Sequence, residues 1–367
     1  MTEEFSAEER ARSRRYHRPL YLALLADVAL GAGLLAALAW SPLGDWLFSP
    51  LKSLSPVEAA AAYAALVTAF SNVVRAPLAF WRGWWRERCW GFSTQTAGGW
   101  LADRAKGLAV SIVLGAAAWA AAVALARAFP GWWAVPASLA LALAVLLLSF
   151  VAPVLLEPLF NRFRPLEDEA LAADLRRLSE RAGVPVRSVL VADASRRTTK
   201  VNAYVSGIGS TRRVVVFDTL LEAADPAAVQ VVVAHELGHR RDGHVVKLTL
   251  LAMAGAVVAV LLLWVVLGTR VADPRTLPEA LLLLLALEVV ALPGGSWLSR
   301  RFERAADRCS LDLTEEPAAF ARAHVELARR NLSDLEPPRL VYVFLFGHPT
   351  PPERLALGRA WREAHAL

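Results

Sequence analysis

Residues 227–268 read AAVQVVVAHELGHRRDGHVVKLTLLAMAGAVVAVLLLWVVLG. Two kinds of chain meet in this stretch. After Lys247 the run to Gly268 carries no charge, and as a helix it is long enough to cross a hydrocarbon core, which takes about 20 apolar residues. Ahead of it, Ala227 to His244 reads as a separate helix, opened by Asp225 as N-cap and by Pro226 in the first turn. Within that helix His235, Glu236 and His239 form an H-E-x-x-H motif. Histidines at i and i+4 lie about 6 Å apart along the axis on one face, so both imidazoles can reach one ion. Glu236 points to the side, where its carboxylate can meet a water bound to that ion. The plainer reading is a chance match on an exposed turn. The apolar run Val229 to Val233 argues against it, because such a run buries this face, and three buried polar side chains without a metal are costly.

Five more apolar stretches, near residues 20–40, 57–80, 107–129, 132–156 and 278–292, bring the expected spans to six. The last is short and carries Glu288. Ala37-Leu38-Ala39 resembles a signal-peptidase site, but its apolar run is long for a leader and further spans follow, so we expect it to be retained. Composition agrees with a lipid-embedded chain. Of 367 residues, 56% are hydrophobic and the mean hydropathy is +0.40, above the usage of soluble domains. The formal charge of +6 is carried by arginines clustered at the ends of the apolar runs rather than by a nucleic-acid motif, so nucleic acid is not expected as a partner. Arg10, Arg12, Arg14, Arg15 and Arg18 precede the first span, against Lys52 alone in the loop after it, which predicts a cytoplasmic amino terminus. By the same count Arg82, Arg86, Arg88, Arg104, Lys106, Arg162, Arg164, Arg300 and Arg301 are cytoplasmic.

Between 160 and 245 the chain becomes charged and mixed. Leu171 to Ala182 reads as an amphipathic helix, and Ser188 to Ala192, Val201 to Val205 and Arg213 to Phe217 as strands. The expected organisation is four parts: four spans in 1–159, a soluble catalytic segment in 160–246, two spans in 247–299, and a carboxy-terminal piece of the catalytic domain in 300–367. Cys89 and Cys309 form no C-x-x-C pair, so a metal must be held by histidine and carboxylate.

A catalytic zinc takes three protein ligands and leaves one position open. Glu303, in Ser299-Arg300-Arg301-Phe302-Glu303-Arg304-Ala305-Ala306-Asp307, is the best third ligand, since the sixth span delivers it to the side of the membrane that holds His235. Asp307 is one turn further on, placed to accept the free ring N–H of a zinc-bound histidine. An arginine-rich helix also carries acids simply as solvated ion pairs, and that is the alternative for both.

These segments resemble those of the integral-membrane zinc endopeptidases of the type I CAAX prenyl protease kind, with the HtpX heat-shock proteases as relatives. The resemblance rests on Cys89-Trp90-Gly91-Phe92-Ser93 with Trp100, Asp103 and Lys106 downstream, and on Pro158 to Leu166. It continues through Asn202-Ala203-Tyr204-Val205-Ser206-Gly207, Val216 to Leu220, the H-E-L-G-H helix with His244, and Ser299 to Asp307. It ends on His348-Pro349-Thr350 and Pro352-Glu353-Arg354-Leu355. It implies a mainly α, polytopic protein whose membrane helices wall a chamber capped by a cytoplasmic α+β, gluzincin-like zinc domain. It also implies one Zn2+ per chain held by His235, His239 and Glu303, with Glu236 as base, Asn202 on an edge strand bonding substrate backbone, and His348 and Arg354 holding substrate or the oxyanion. The partners implied are a peptide or protein substrate and the lipid bilayer. Eukaryotic members carry seven spans where we count six, and the Ala-, Leu- and Arg-rich composition fits a bacterial cell membrane, so substrates other than prenylated peptides are expected. A membrane scaffold with a structural zinc is the competing reading, with Asp27 and Glu288 as packing contacts. A transporter would need an inverted repeat, and the sequence has none that we can see. Oligomeric state is left open.

Overall fold

The computed structural model describes residues 4–151, 157–207 and 209–365. Helix α1 (Ala7–Trp40) starts at a Ser6–Glu9 capping box, and the short α2 (Pro42–Phe48) follows it. A second capping box, Ser55–Glu58, opens α3 (Pro56–Phe80), which runs on through a wide turn at Trp81–Trp85 into α4 (Arg86–Cys89). Then come α5 (Ala97–Ala128) and α6 (Ala134–Val151); the tail of the expected fourth span, 152–156, lies outside the described residues. The soluble segment contains α7 (Glu157–Phe160), β1 (Phe163–Pro165), α8 (Glu169–Arg181), β2 (Ser188–Ala192), β3 (Ala203–Ser206), β4 (Arg213–Phe217), α9 (Asp218–Ala223) and α10 (Pro226–Arg241). Two long helices follow, α11 (His244–Leu267) and α12 (Leu277–Thr314), and the chain closes with α13 (Pro317–Arg330), α14 (Arg339–Leu345) and α15 (Pro351–Ala364).

Among the described residues six helices are long and apolar enough to span a bilayer, as the sequence predicts. They stand in a closed ring: α1 touches α3, α3 touches α5, α5 touches α6, α6 touches α11, α11 touches α12, and α12 returns to α1. Each of the six thus takes its place in one wall, with its main contacts among the spanning helices made to its two neighbours. At the end away from the sheet the wall is tied by Trp119 and Trp133, whose indole N–H groups donate to the carbonyls of Pro274 and Gly268, both at 3.1 Å. Asp27, buried on α1, takes a two-pronged bond from Arg75 on α3 at 2.8 and 2.7 Å. Glu288, by contrast, is exposed on α12.

The sheet has the order β1-β2-β4-β3, with β2 and β4 parallel and the outer pairs antiparallel. Val214, Val215 and Val216 are wholly buried, and the sheet packs on Leu175 of α8 and on Val233 and Leu237 of α10. Three sequence expectations are corrected. The metal-motif helix ends at Arg241, because Gly243 adopts a left-handed φ of 67° and His244 starts the next helix. The third strand starts at Ala203, not Val201, so Asn202 sits just ahead of the edge strand. The sixth span is not a short segment ending at 292 but the first part of the 38-residue α12, which continues through Pro293, Gly294 and Gly295 to Thr314. The short β1 was not foreseen; three residues carry too little alternation to read.

Candidate metal centre

Helix α10 is anchored at its start by Asp225, whose carboxylate accepts from the Ala228 N–H at 2.7 Å. Its far half lies against α12 with no room to spare. A Cβ added at Gly238 would stand 2.9 Å from the Cβ of Cys309 and 3.1 Å from the Cα of Ala306, so glycine is what lets the two helices approach. The Ser310 hydroxyl donates to the Val231 carbonyl at 2.8 Å and fixes their axial register.

That approach brings Glu303 to the histidines. His235 Nε2 and His239 Nε2 are 3.2 Å apart, and Glu303 lies 3.4 Å from the first through Oε2 and 3.2 Å from the second through Oε1. One donor atom from each of the three residues falls within a 4.8 Å group. Ligands about 2.1 Å from a tetrahedral zinc stand roughly 3.4 Å from one another, so this donor set fits the ion, and its two-nitrogen, one-carboxylate chemistry is that of a catalytic site. Glu236, half-buried, is not in the group and lines, with His235 and Glu303, a cavity of about 590 Å³. Burial pushes its carboxyl above the ordinary range despite the two nearby imidazoles.

The surroundings hold the donors still. The His235 Nδ1–H donates to Asp307 Oδ1 at 2.8 Å, leaving Nε2 for an ion. Burial opposes a charged imidazole here, but the hydrogen bonds to Asp307 and Glu303 prevail and carry His235 up to about 9. With an ion at Nε2 the bond from Nδ1 to Asp307 persists and makes the ring a stronger donor. Arg354 donates to Asp307 Oδ1 and to Glu303 Oε2, each at 2.7 Å, and His348 Nδ1 is 2.7 Å from the same Glu303 oxygen. His239 Nδ1 is 3.0 Å from His244 Nδ1, and His244 stacks on Phe302 with centroids 4.2 Å apart. Arg354 is placed by a capping box, Thr350 with Glu353, at the start of α15. The loop bearing His348 is placed by buried Arg300, which donates to the carbonyls of Tyr342 and Phe346.

All the site residues expected from sequence except Asp307 line this cavity or belong to the donor group: Asn202, His235, Glu236, Glu303, His348 and Arg354 line it, and His239 completes the donor group. Asp307 stands behind His235, fully buried. His324 on α13 was missed. It is half-buried, 3.8 Å from Asp307, and desolvation, helped by the Arg354 charge, pushes it down to about 3, so it is neutral. Its place on the apolar stripe of Ala319, Phe320 and Ala323 was the available signal. Motif residues outside the centre join the helix ring to the catalytic domain: Arg197 donates to Asp103 at 2.8 Å and to the Asn161 side chain at 2.9 Å, and Lys106 reaches the Leu159 carbonyl. Replacing Asp307 by Asn is expected to weaken zinc binding by about 10- to 100-fold without touching a ligand, measured by competition with a chelator. Unchanged affinity would show that His235 needs no help from Asp307.

Residues 165–362 match the model of peptidase family M48. The chain belongs to that family. Residues 1–162 match a second model, described as the CAAX prenyl protease N-terminal region with five membrane helices; four of the six spanning helices described above lie in this part. The M48 chain is 29% identical over 306 residues to the uncharacterized metalloprotease YhfN of Bacillus subtilis (strain 168), covering 79% of this chain and 71% of that one. It is 29% identical over 198 residues to CAAX prenyl protease 1 of Saccharomyces cerevisiae, covering 54% of this chain and 44% of the yeast protein. A crystal structure of S. mikatae Ste24p superposes with a TM-score of 0.85 at 24% identity over 97% of this chain and 90% of that one, which shows a shared fold. The protein is a zinc-dependent membrane protease of the CAAX prenyl protease type, and a non-catalytic scaffold is not favoured.

Proposed function

We propose that His235, His239 and Glu303 hold one zinc ion per chain and that Glu236 is the general base of a peptide hydrolysis carried out at the cytoplasmic face of a bacterial cell membrane. What supports this most is that a carboxylate from a membrane helix meets two imidazoles from the soluble segment, with a second, unengaged carboxylate beside them on an open cavity. When bound, zinc supplies a Lewis acid for the scissile carbonyl and lowers the pKa of water toward about 7. Glu236 takes the proton of the attacking water and passes it to the leaving amine. Asp307 holds the His235 ring by its Nδ1–H, and Arg354 holds Asp307 and Glu303 in place while lining the cavity. His348, with an exposed side chain at the cavity wall, stabilises the developing oxyanion, and Asn202 contacts substrate main chain. The arginine distribution supports the cytoplasmic orientation. We keep the four-part division of the chain at 159, 246 and 299.

The substrates we propose are peptides or membrane proteins in extended form, prenylated or not, with quality control of membrane proteins as the setting. The test is cleavage of a panel of CAAX-like and unmodified peptides by purified protein in detergent. Cleavage should vanish on chelation and return with one equivalent of zinc. A zinc-loaded protein that cleaves none of them would sink the reading.

A further inference from the structure

The end of the helix wall next to the sheet carries more positive charge than its acids can match. Glu87 is taken by Lys200 at 2.7 Å, and Asp103 by Arg197 at 2.8 Å. That leaves Asp27, and Arg75 occupies both of its oxygens. Arg82 comes only to 3.7 Å from Asp27 Oδ2, too far for a hydrogen bond, and Arg104 reaches the neutral side-chain oxygen of Asn72 at 3.1 Å. Among the described residues, then, these two guanidiniums on neighbouring helices have no carboxylate of their own. Arg86 and Arg88 have none either, but they donate to the backbone carbonyls of Arg15, Tyr16 and Gln95.

The unmatched pair converges on one place. Asn72, Arg75 and Arg82 follow at spacings of three and seven, which puts them roughly on one face of α3 and its continuation. Helix α1 meets that face through Asp27, and α5 meets it through Arg104, whose charge is near enough to act on Asp27 as well. A buried carboxylate inside an apolar span is costly, and here it holds Arg75 rigidly beside Arg82. The backbone under Arg82 is also irregular. Trp81–Trp85 form a single π turn, a distortion that recurs where a helix carries a function. Trp81, Trp84, Trp85 and Trp100 gather at the same level, with Arg104 over the Trp100 ring at 5.7 Å and Trp81 and Trp85 exposed. Tryptophans at the ends of spans mark the headgroup zone of a bilayer.

We propose that Arg82 and Arg104, steadied by the Asp27–Arg75 pair, bind the phosphate of an anionic lipid headgroup. A guanidinium fork matches phosphate oxygens in geometry as well as charge, and basic pockets between spanning helices suit acidic headgroups. The bound phosphate would join α3 to α5 as Asp27 joins α3 to α1. This site lies outside the metal centre and does not depend on the peptidase reading.

Protein stripped of lipid in a neutral detergent is titrated with phosphatidylglycerol and, separately, with phosphatidylcholine, whose choline cancels the phosphate charge. Native mass spectrometry should show one phosphatidylglycerol per chain, held about tenfold more tightly than phosphatidylcholine, and only the anionic lipid should raise the melting temperature. Arg82→Gln and Arg104→Gln should each weaken phosphatidylglycerol about tenfold, the size of one charge-assisted hydrogen bond, and leave phosphatidylcholine unchanged. Lys52→Gln removes the same charge from an exposed residue at the opposite end of the wall and should change neither. Equal binding of the two lipids by the wild type overturns the inference, and that comparison decides the matter even where an arginine variant does not fold. So does an equal loss in Lys52→Gln, which would show a response to net charge alone. Inorganic phosphate that displaces phosphatidylglycerol and protects as well as it does would make the ligand a soluble anion, and overturns the lipid assignment.

Discussion

Glu236→Gln is expected to lower kcat by about three orders of magnitude while leaving one zinc per chain. Glutamine has the volume and hydrogen-bonding reach of glutamate but cannot take a proton at neutral pH. The change is confined to chemistry because Glu236 stands outside the group formed by His235, His239 and Glu303. Burial, which raises the carboxyl of Glu236, would cost a neutral amide less than a carboxylate, so the variant should melt no lower than the wild type. Metal analysis and turnover on one preparation check both halves. Near-normal turnover with zinc present would mean that another group moves the proton.

Glu303→Gln should act on the ion and on the fold together. Its carboxylate is shared by His235, His239, His348 and Arg354, all within 3.4 Å. Removing the charge takes the only anionic donor from the metal group and half the counter-charge from a nearly buried guanidinium. Breaking a buried pair outright costs about 3–5 kcal/mol. Here the loss should fall near about 3 kcal/mol, since Asp307 still holds the same Arg354. We expect zinc content well below one per chain, no measurable cleavage, and a lower melting temperature in detergent. Full zinc occupancy in this variant would show that another residue completes the site.

Much of this was readable from the chain because its strongest signals are local. Apolar runs announce membrane helices by length alone, and His235, Glu236 and His239 declare themselves by helical spacing. Glu303 and Asp307 needed more, namely the inference that an even number of spans returns the chain to the side where it began. What escaped reading is long-range or borrowed. The bonds from Arg300 to carbonyls 42 and 46 residues away leave no local pattern, and neither does the carboxamide of Asn331 reaching Val201, 130 residues back. The closed ring was implied only by resemblance, since periodicity tells which face of a helix is apolar and not which helix it meets. The extent of α12 was misjudged because Pro293-Gly294-Gly295 reads locally as a stop, whereas packing on both sides carries the helix through.

That Pro-Gly-Gly step divides the longest helix of the molecule into two halves with different duties. Pro293 withdraws one rung of the backbone ladder, and two residues without side chains follow it, so resistance to bending is lowest there. Below the step, the half bearing Glu303 and Asp307 is clamped to its neighbour at Gly238 and by the Ser310 bond. Above it, the helix is one of the six that make up the ring. A bend at that step would therefore move the upper half and leave His235, His239 and Glu303 in register with one another.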